Sequence, residues 1–108
     1  MVRISCEEAI KDIEEAFKRM MDATSKVYER GVEMSRWLGV PIAREDISRM
    51  EPKEVGRVLL EIAQMVLPEG KKEEFFDRYK GLLYYINKYN VSKEDFIRSL
   101  KAAEICSI

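Results

Sequence analysis

Apolar and small residues recur at Ile10, Ile13, Phe17, Met20, Thr24, Val27, Gly31, Met34 and Leu38, in alternating steps of three and four. That spacing predicts one long amphipathic helix over about residues 6–38, with a coiled-coil-like seam. Ser5, with Glu8 three positions later, reads as a capping box at its start. Gly31 notches the seam, which suits close approach of a second helix or a bend. Gly39, followed by Val40 and Pro41, ends the helix, because glycine accepts a left-handed cap and proline cannot continue the ladder. A short connector helix is expected near 42–49, with Pro41 suited to a first helical position. Pro52 opens a second substantial helix, over about 52–67, whose buried stripe is Val55, Leu59, Ile62 and Val66. Pro68, Glu69 and Gly70 break it. Phe75, Tyr79, Leu82, Ile86 and Tyr89 then repeat at helical spacing over about 71–89, with Phe76 and Leu83 widening the face. Asn90 closes that helix, and Ser92 with Asp95 opens a last one over about 93–105, with Phe96, Leu100 and Ala103 inward. No segment alternates with period two. The expectation is an all-α fold, a compact bundle of four main helices plus the connector, forming a single domain over 1–108 with short loops and antiparallel neighbours.

Composition narrows the function classes. The chain has 108 residues, 19 basic and 20 acidic side chains and a formal net charge of −1, which argues against coating nucleic acid by charge alone. No apolar stretch approaches the roughly 20 residues that cross a bilayer, and Glu7 and Glu8 stand where a signal peptide would be apolar. A soluble cytoplasmic protein with no membrane contact is therefore expected. Glu, Lys and Arg dominate a charged fraction of 36%, beside one glutamine and two asparagines, a balance common in thermophiles, although six methionines pull the other way. Cys6 and Cys106 lie near opposite ends and could staple the termini. They do not make a zinc cluster, since the chain has no histidine to complete one.

The absence of histidine also removes the usual general base near neutral pH and the Glu-x-x-His pairs of di-iron bundles. No catalytic residue is assigned. Carboxylates remain as ligands for Mg²⁺, if acidic residues of two helices meet across a groove. The stretches Glu54-Val55-Gly56-Arg57, Glu74-Phe75-Phe76-Asp77 and Leu82-Leu83-Tyr84-Tyr85 together resemble part of the all-α nucleoside-triphosphate pyrophosphohydrolases of the MazG type, over about residues 51–96. The resemblance implies Mg²⁺-dependent removal of pyrophosphate from nucleotides, with Glu54, Glu74 and Asp77 as ligands. Arg57 stands where that family has its second glutamate, so one ligand would be missing. Glu51 restores the spacing, but at a helix boundary. The plain alternative is that these charges are solvated beside a bundle core.

The second candidate site is basic and aromatic. Lys80, Tyr84 and Lys88 are successive i, i+4 neighbours, with Arg78 and Tyr85 on an adjoining stripe. Arg19, Lys26 and Arg30 share a face of the first helix, with Trp37 seven residues beyond Arg30, and the last helix adds Arg98 and Lys101. Cations neutralise phosphates and a tyrosine between them can stack on a base, which suits single-stranded nucleic acid read without sequence preference. Dipole complementarity and core packing would explain the same residues without a ligand. Met21, Tyr28 and Trp37 flank the main seam and are the expected apolar contacts to a protein partner.

A helical domain of this length, with the long amphipathic helix from Ile10 to Leu38 and the segment Lys80-Gly81-Leu82-Leu83-Tyr84-Tyr85-Ile86-Asn87-Lys88, resembles the small all-α subunit of archaeal type I-A CRISPR surveillance complexes. The resemblance implies a non-enzymatic, cofactor-free subunit of an antiviral ribonucleoprotein. Such a subunit stacks on copies of itself and on other protein subunits, and contacts the guide RNA or target DNA backbone. Specificity would then reside in the guide. The alternatives are the Mg²⁺-dependent pyrophosphohydrolase and a homo-oligomeric helical scaffold or regulator.

Overall fold

A computed structural model describes residues 6–106 of the chain. It contains α1 (Cys6–Trp37), α2 (Arg44–Ser48), α3 (Pro52–Val66), a single 3₁₀ turn (Glu69–Lys71) and α4 (Lys72–Cys106). No strand occurs among the described residues, and the fold is all-α. The Ser5 end of the capping box lies outside them.

Several boundaries follow from local chemistry. Gly39 takes φ +80°, and the Val40 amide donates to the Ser35 carbonyl while the Gly39 amide donates to that of Arg36. This is a Schellman closure of α1, which only a residue tolerant of positive φ sustains cheaply. Pro52 occupies the first turn of α3, where its missing N–H costs nothing. Pro41 does not begin a helix: the loop runs on through Ala43, in an extended conformation, before α2 starts. Ser35, fully buried, donates to the Val32 carbonyl and accepts from the Ile42 amide at 3.0 Å, folding this loop back onto α1.

The main difference from the sequence pattern is that the expected third and fourth helices are one. α4 runs unbroken through Asn90 and Ser92 for 35 residues. Neither residue is a helix breaker of the proline kind, and Ser92 is buried rather than capping an exposed end. Asp95 points to ion pairs with Arg19 and Arg98, not back to a cap.

α1 and α4 form an antiparallel hairpin. Its register is marked by Cys6 beside Cys106, Phe17 against Phe96 at 6.1 Å between ring centroids, Arg30 over Tyr85, and Trp37 under Arg78. Each long helix spans about 50 Å, whereas α3 spans about 22 Å and covers only one half of the hairpin. The buried apolar cluster lies in that half: Val27, Met34 and Leu38 of α1, Ile47 of α2, Val55 and Leu59 of α3, Phe75, Leu82 and Ile86 of α4. The molecule is accordingly a rod of 58 × 28 × 15 Å, with a radius of gyration of 17.9 Å. A sphere-like domain of this length would have about 13 Å.

In the other half, residues 6–24 and 90–106 form a two-helix arm with a different contact line. Ala9, Ala16 and Ala23 are the buried residues of α1 there, seven apart, while Phe17, placed on the seam by its spacing, remains 48% exposed. Two helices without a third meet along a narrow line that small residues fill. The larger Ile10, Phe17 and Met21 are left on the flank. For the same reason Leu100 is exposed instead of inward. In the body, the α3 stripe ends on Ala63 rather than Val66, and Phe76 and Leu83 face solvent instead of widening the core.

Candidate nucleic-acid interface

Gly31 of α1 and Ile86 of α4 face the α3 side: a Cβ on Gly31 would lie 2.8 Å from Val55, and Ile86 packs over Gly56. Arg30 and Tyr85 each precede these contacts by one residue and so turn about 100° away, onto the α1/α4 seam opposite α3. There the Arg30 guanidinium lies over the Tyr85 ring, 5.1 Å from its centroid, and Arg78 lies over Trp37 at 5.0 Å. The pattern is reciprocal, since each helix contributes one arginine and one aromatic ring, seven residues apart. Gly81 leaves room for it, because a Cβ there would lie 3.2 Å from Arg30 Nη1 and the guanidinium would have to shift by a few tenths of an ångström. Glycine inside a helical pattern is a signal of close approach, and Gly81 is the contributor that spacing alone does not single out as functional.

Three shallow hollows run along this seam. Arg30, Glu74, Asp77 and Arg78 line one; Asp22, Lys26, Tyr85 and Lys88 contribute to the second. The third, toward the arm tip, is lined by Asp12, Arg19, Asp95, Arg98 and Ser99. Asp95 engages Arg19 at 4.0 Å and Arg98 at 3.7 Å, and Lys26 meets Glu29 at 3.5 Å. Among the described residues no carboxylate forms an ion pair with Arg30, Arg78 or Lys88. The seam thus combines cations and anions, and its distinctive feature is two guanidinium groups that each lie over an aromatic ring, about 5 Å from its centroid.

The sequence-derived candidates divide accordingly. Arg19, Lys26, Arg30, Arg78, Tyr85, Lys88 and Arg98 come together on the seam from two helices. Tyr84 stands edge-on to Tyr85 at 5.1 Å and is 60% exposed, so it is the ring open to stacking while Tyr85 is covered by Arg30. Lys80, one turn before Tyr84 on α4, and Lys101, one turn after Ile97, line none of the three hollows. Of the expected partner contacts, Met21 is exposed on the arm. Tyr28 is half-buried and donates its hydroxyl to the Met50 carbonyl at 2.8 Å, while Trp37 supports Arg78.

The carboxylates of the pyrophosphohydrolase pattern do not converge. Glu54 pairs with Arg57 on α3, Glu74 pairs with Lys71, and Glu74 and Asp77 open onto the α1/α4 seam. No group of three metal-ligating side chains forms among the described residues. At the arm tip the Cys6 thiol donates to the Cys106 carbonyl at 3.6 Å. Both cysteines are free, and the hydrogen bond with Cys6 raises the Cys106 thiol above its ordinary range. No described helix is long and apolar enough to cross a membrane. Comparison of the chain with protein-family models, curated proteins and solved structures finds no match.

Proposed function

We propose that the chain is a non-catalytic helical subunit of a nucleoprotein assembly, contacting a phosphate backbone through the α1/α4 seam, as the small all-α subunits of CRISPR surveillance complexes do. The observation carrying this reading is the Arg30–Tyr85 and Arg78–Trp37 pair of stacks. A guanidinium already resting over a ring loses less side-chain freedom when a phosphate takes two parallel hydrogen bonds from it. Tyr84 supplies an exposed ring beside them for a base or ribose. Glu74 and Asp77 hold the local charge near neutral, so affinity is local and modest, not the broad electrostatic capture of a basic surface.

Fluorescence anisotropy with a labelled single-stranded RNA or DNA tests this. For single strands the salt dependence is about −0.7 per phosphate in a log–log plot, so contacts to two to four phosphates give slopes of about −1.4 to −2.8. Arg30→Glu with Arg78→Glu abolishes this binding, whereas Lys80→Glu with Lys101→Glu leaves it within about twofold. Equal loss in both double variants, or binding unchanged by the first, refutes the seam as the interface.

A further inference from the structure

The arm carries a second surface, on the side of the hairpin that α3 covers further along. Ile10, Phe17 and Met21 of α1 and Ile97 and Leu100 of α4 are each 40–56% exposed there. They continue the groove that α3 fills in the body, and α3 stops short of them. A scattered apolar residue is ordinary on a surface, but five half-exposed ones gathered on one side of two rigid helices point to an interaction site.

We infer that this face pairs with the same face of a second copy, in a two-fold antiparallel arrangement that makes the two arms a four-helix bundle. The distribution of residues favours a copy of this chain over another occupant. On α1, Ile10 and Met21 are symmetric about the level between residues 15 and 16. On α4, exposed Glu94 and Lys101 are symmetric about the level between 97 and 98. The Phe17–Phe96 contact sets these two levels side by side across the hairpin. One two-fold axis therefore brings Ile10 against the partner copy's Met21 and Glu94 against the partner copy's Lys101, each contact occurring twice.

The lengths also fit. With that axis, the tip of the second arm at residue 6 reaches the level of Ser25. It stops before Tyr28, where the Met50 corner closes the face. A hollow including Met21, Thr24, Tyr28, Met50 and Tyr89 lies at that boundary to receive it. Two arms of about 27 Å by 20 Å bury on the order of 1,000–1,500 Å² in total, at the lower edge of the range for specific complexes. The Arg30/Arg78 seams remain on the outer faces of the pair, so the dimer does not depend on the nucleic-acid reading.

Light scattering coupled to gel filtration, at about 100 μM chain, tests the pairing. The expected mass is twice 12.7 kDa, falling to one chain in Ile10→Lys with Leu100→Lys at unchanged helical circular dichroism. Rim variants guard against a folding artefact. Glu94→Lys alone and Lys101→Glu alone each weaken association about three- to tenfold, and mixing the two single variants restores it as a heterodimer. A wild-type monomer at this concentration overturns the inference. So does a dimer indifferent to the Ile10/Leu100 substitutions, or a pair of rim variants that do not rescue each other.

Discussion

At the residue scale, glycine decides how closely α3 approaches. A methyl group at Gly31 would meet Val55 Cγ1 at 2.8 Å with Ile47 behind it, whereas one at Gly56 would meet the end of the Ile86 side chain at 2.8 Å, with the Tyr79 hydroxyl at an ordinary contact distance of 3.5 Å. Valine is stiff about χ1 and cannot swing aside, while the Ile86 terminus can change rotamer. Gly31→Ala is thus expected to lower stability by about 1–3 kcal/mol despite a helix-propensity gain of about 1 kcal/mol. Gly56→Ala is expected within about 1 kcal/mol of the parent, and urea midpoints of the two variants compare them directly. Tyr28 contributes stability that is sensitive to alkaline pH. Burial, then the negative charge of Glu51 and the neighbouring Tyr89, raises its hydroxyl above the ordinary tyrosine range. Its neutral form is the one that folding favours, so its contribution is complete below pH ~10 and is lost as pH rises through the raised folded value. Tyr28→Phe loses the hydrogen bond to Met50, about 0.5–1.5 kcal/mol at pH 7. The variant shows a shallower fall in thermal midpoint above pH 10, and an unchanged alkaline slope would contradict this assignment.

At the element scale, what could be read from the chain was whatever a single helix expresses by itself. The glycine closure at Gly39, the proline start at Pro52 and the breaks around Pro68 are local, and each lies where its chemistry requires. The apparent restart at Ser92 was also a local signal, but there the tertiary partner overrode it: Ser92 packs into the hairpin and Asp95 reaches Arg19. The alanine line was hidden for a related reason. Ala9, Ala16 and Ala23 are weakly hydrophobic, and their role appears only when a second helix lies on them without a third. The cationic faces of the two helices were legible separately, yet the Arg30–Tyr85 and Arg78–Trp37 stacks depend on hairpin register, which no spacing on one helix encodes. The alanine line carries its own prediction. Ala16 is fully buried, so Ala16→Leu pushes the arm helices apart and costs about 1–3 kcal/mol, read by chemical denaturation. Phe17→Leu, one residue away on the flank, costs less, and equal losses would mean that the contact line runs elsewhere.

At the scale of the whole molecule, the half-length α3 is the organising feature. It confines the apolar core to one end of the rod and leaves a bare two-helix arm at the other. The two long sides of the hairpin thereby acquire different chemistry, an apolar face aligned with α3 and a seam of stacked arginines opposite it. Under the proposed function, the seam touches nucleic acid. Ultraviolet crosslinking in the native cells, followed by gentle isolation and mass spectrometry of this chain, tests that contact most directly. Nucleotide adducts on peptides containing Tyr84 and Tyr85, and on those flanking Arg30, are the predicted result. A chain recovered without any nucleic-acid adduct, or with adducts confined to the Ile10/Leu100 face, would contradict the account.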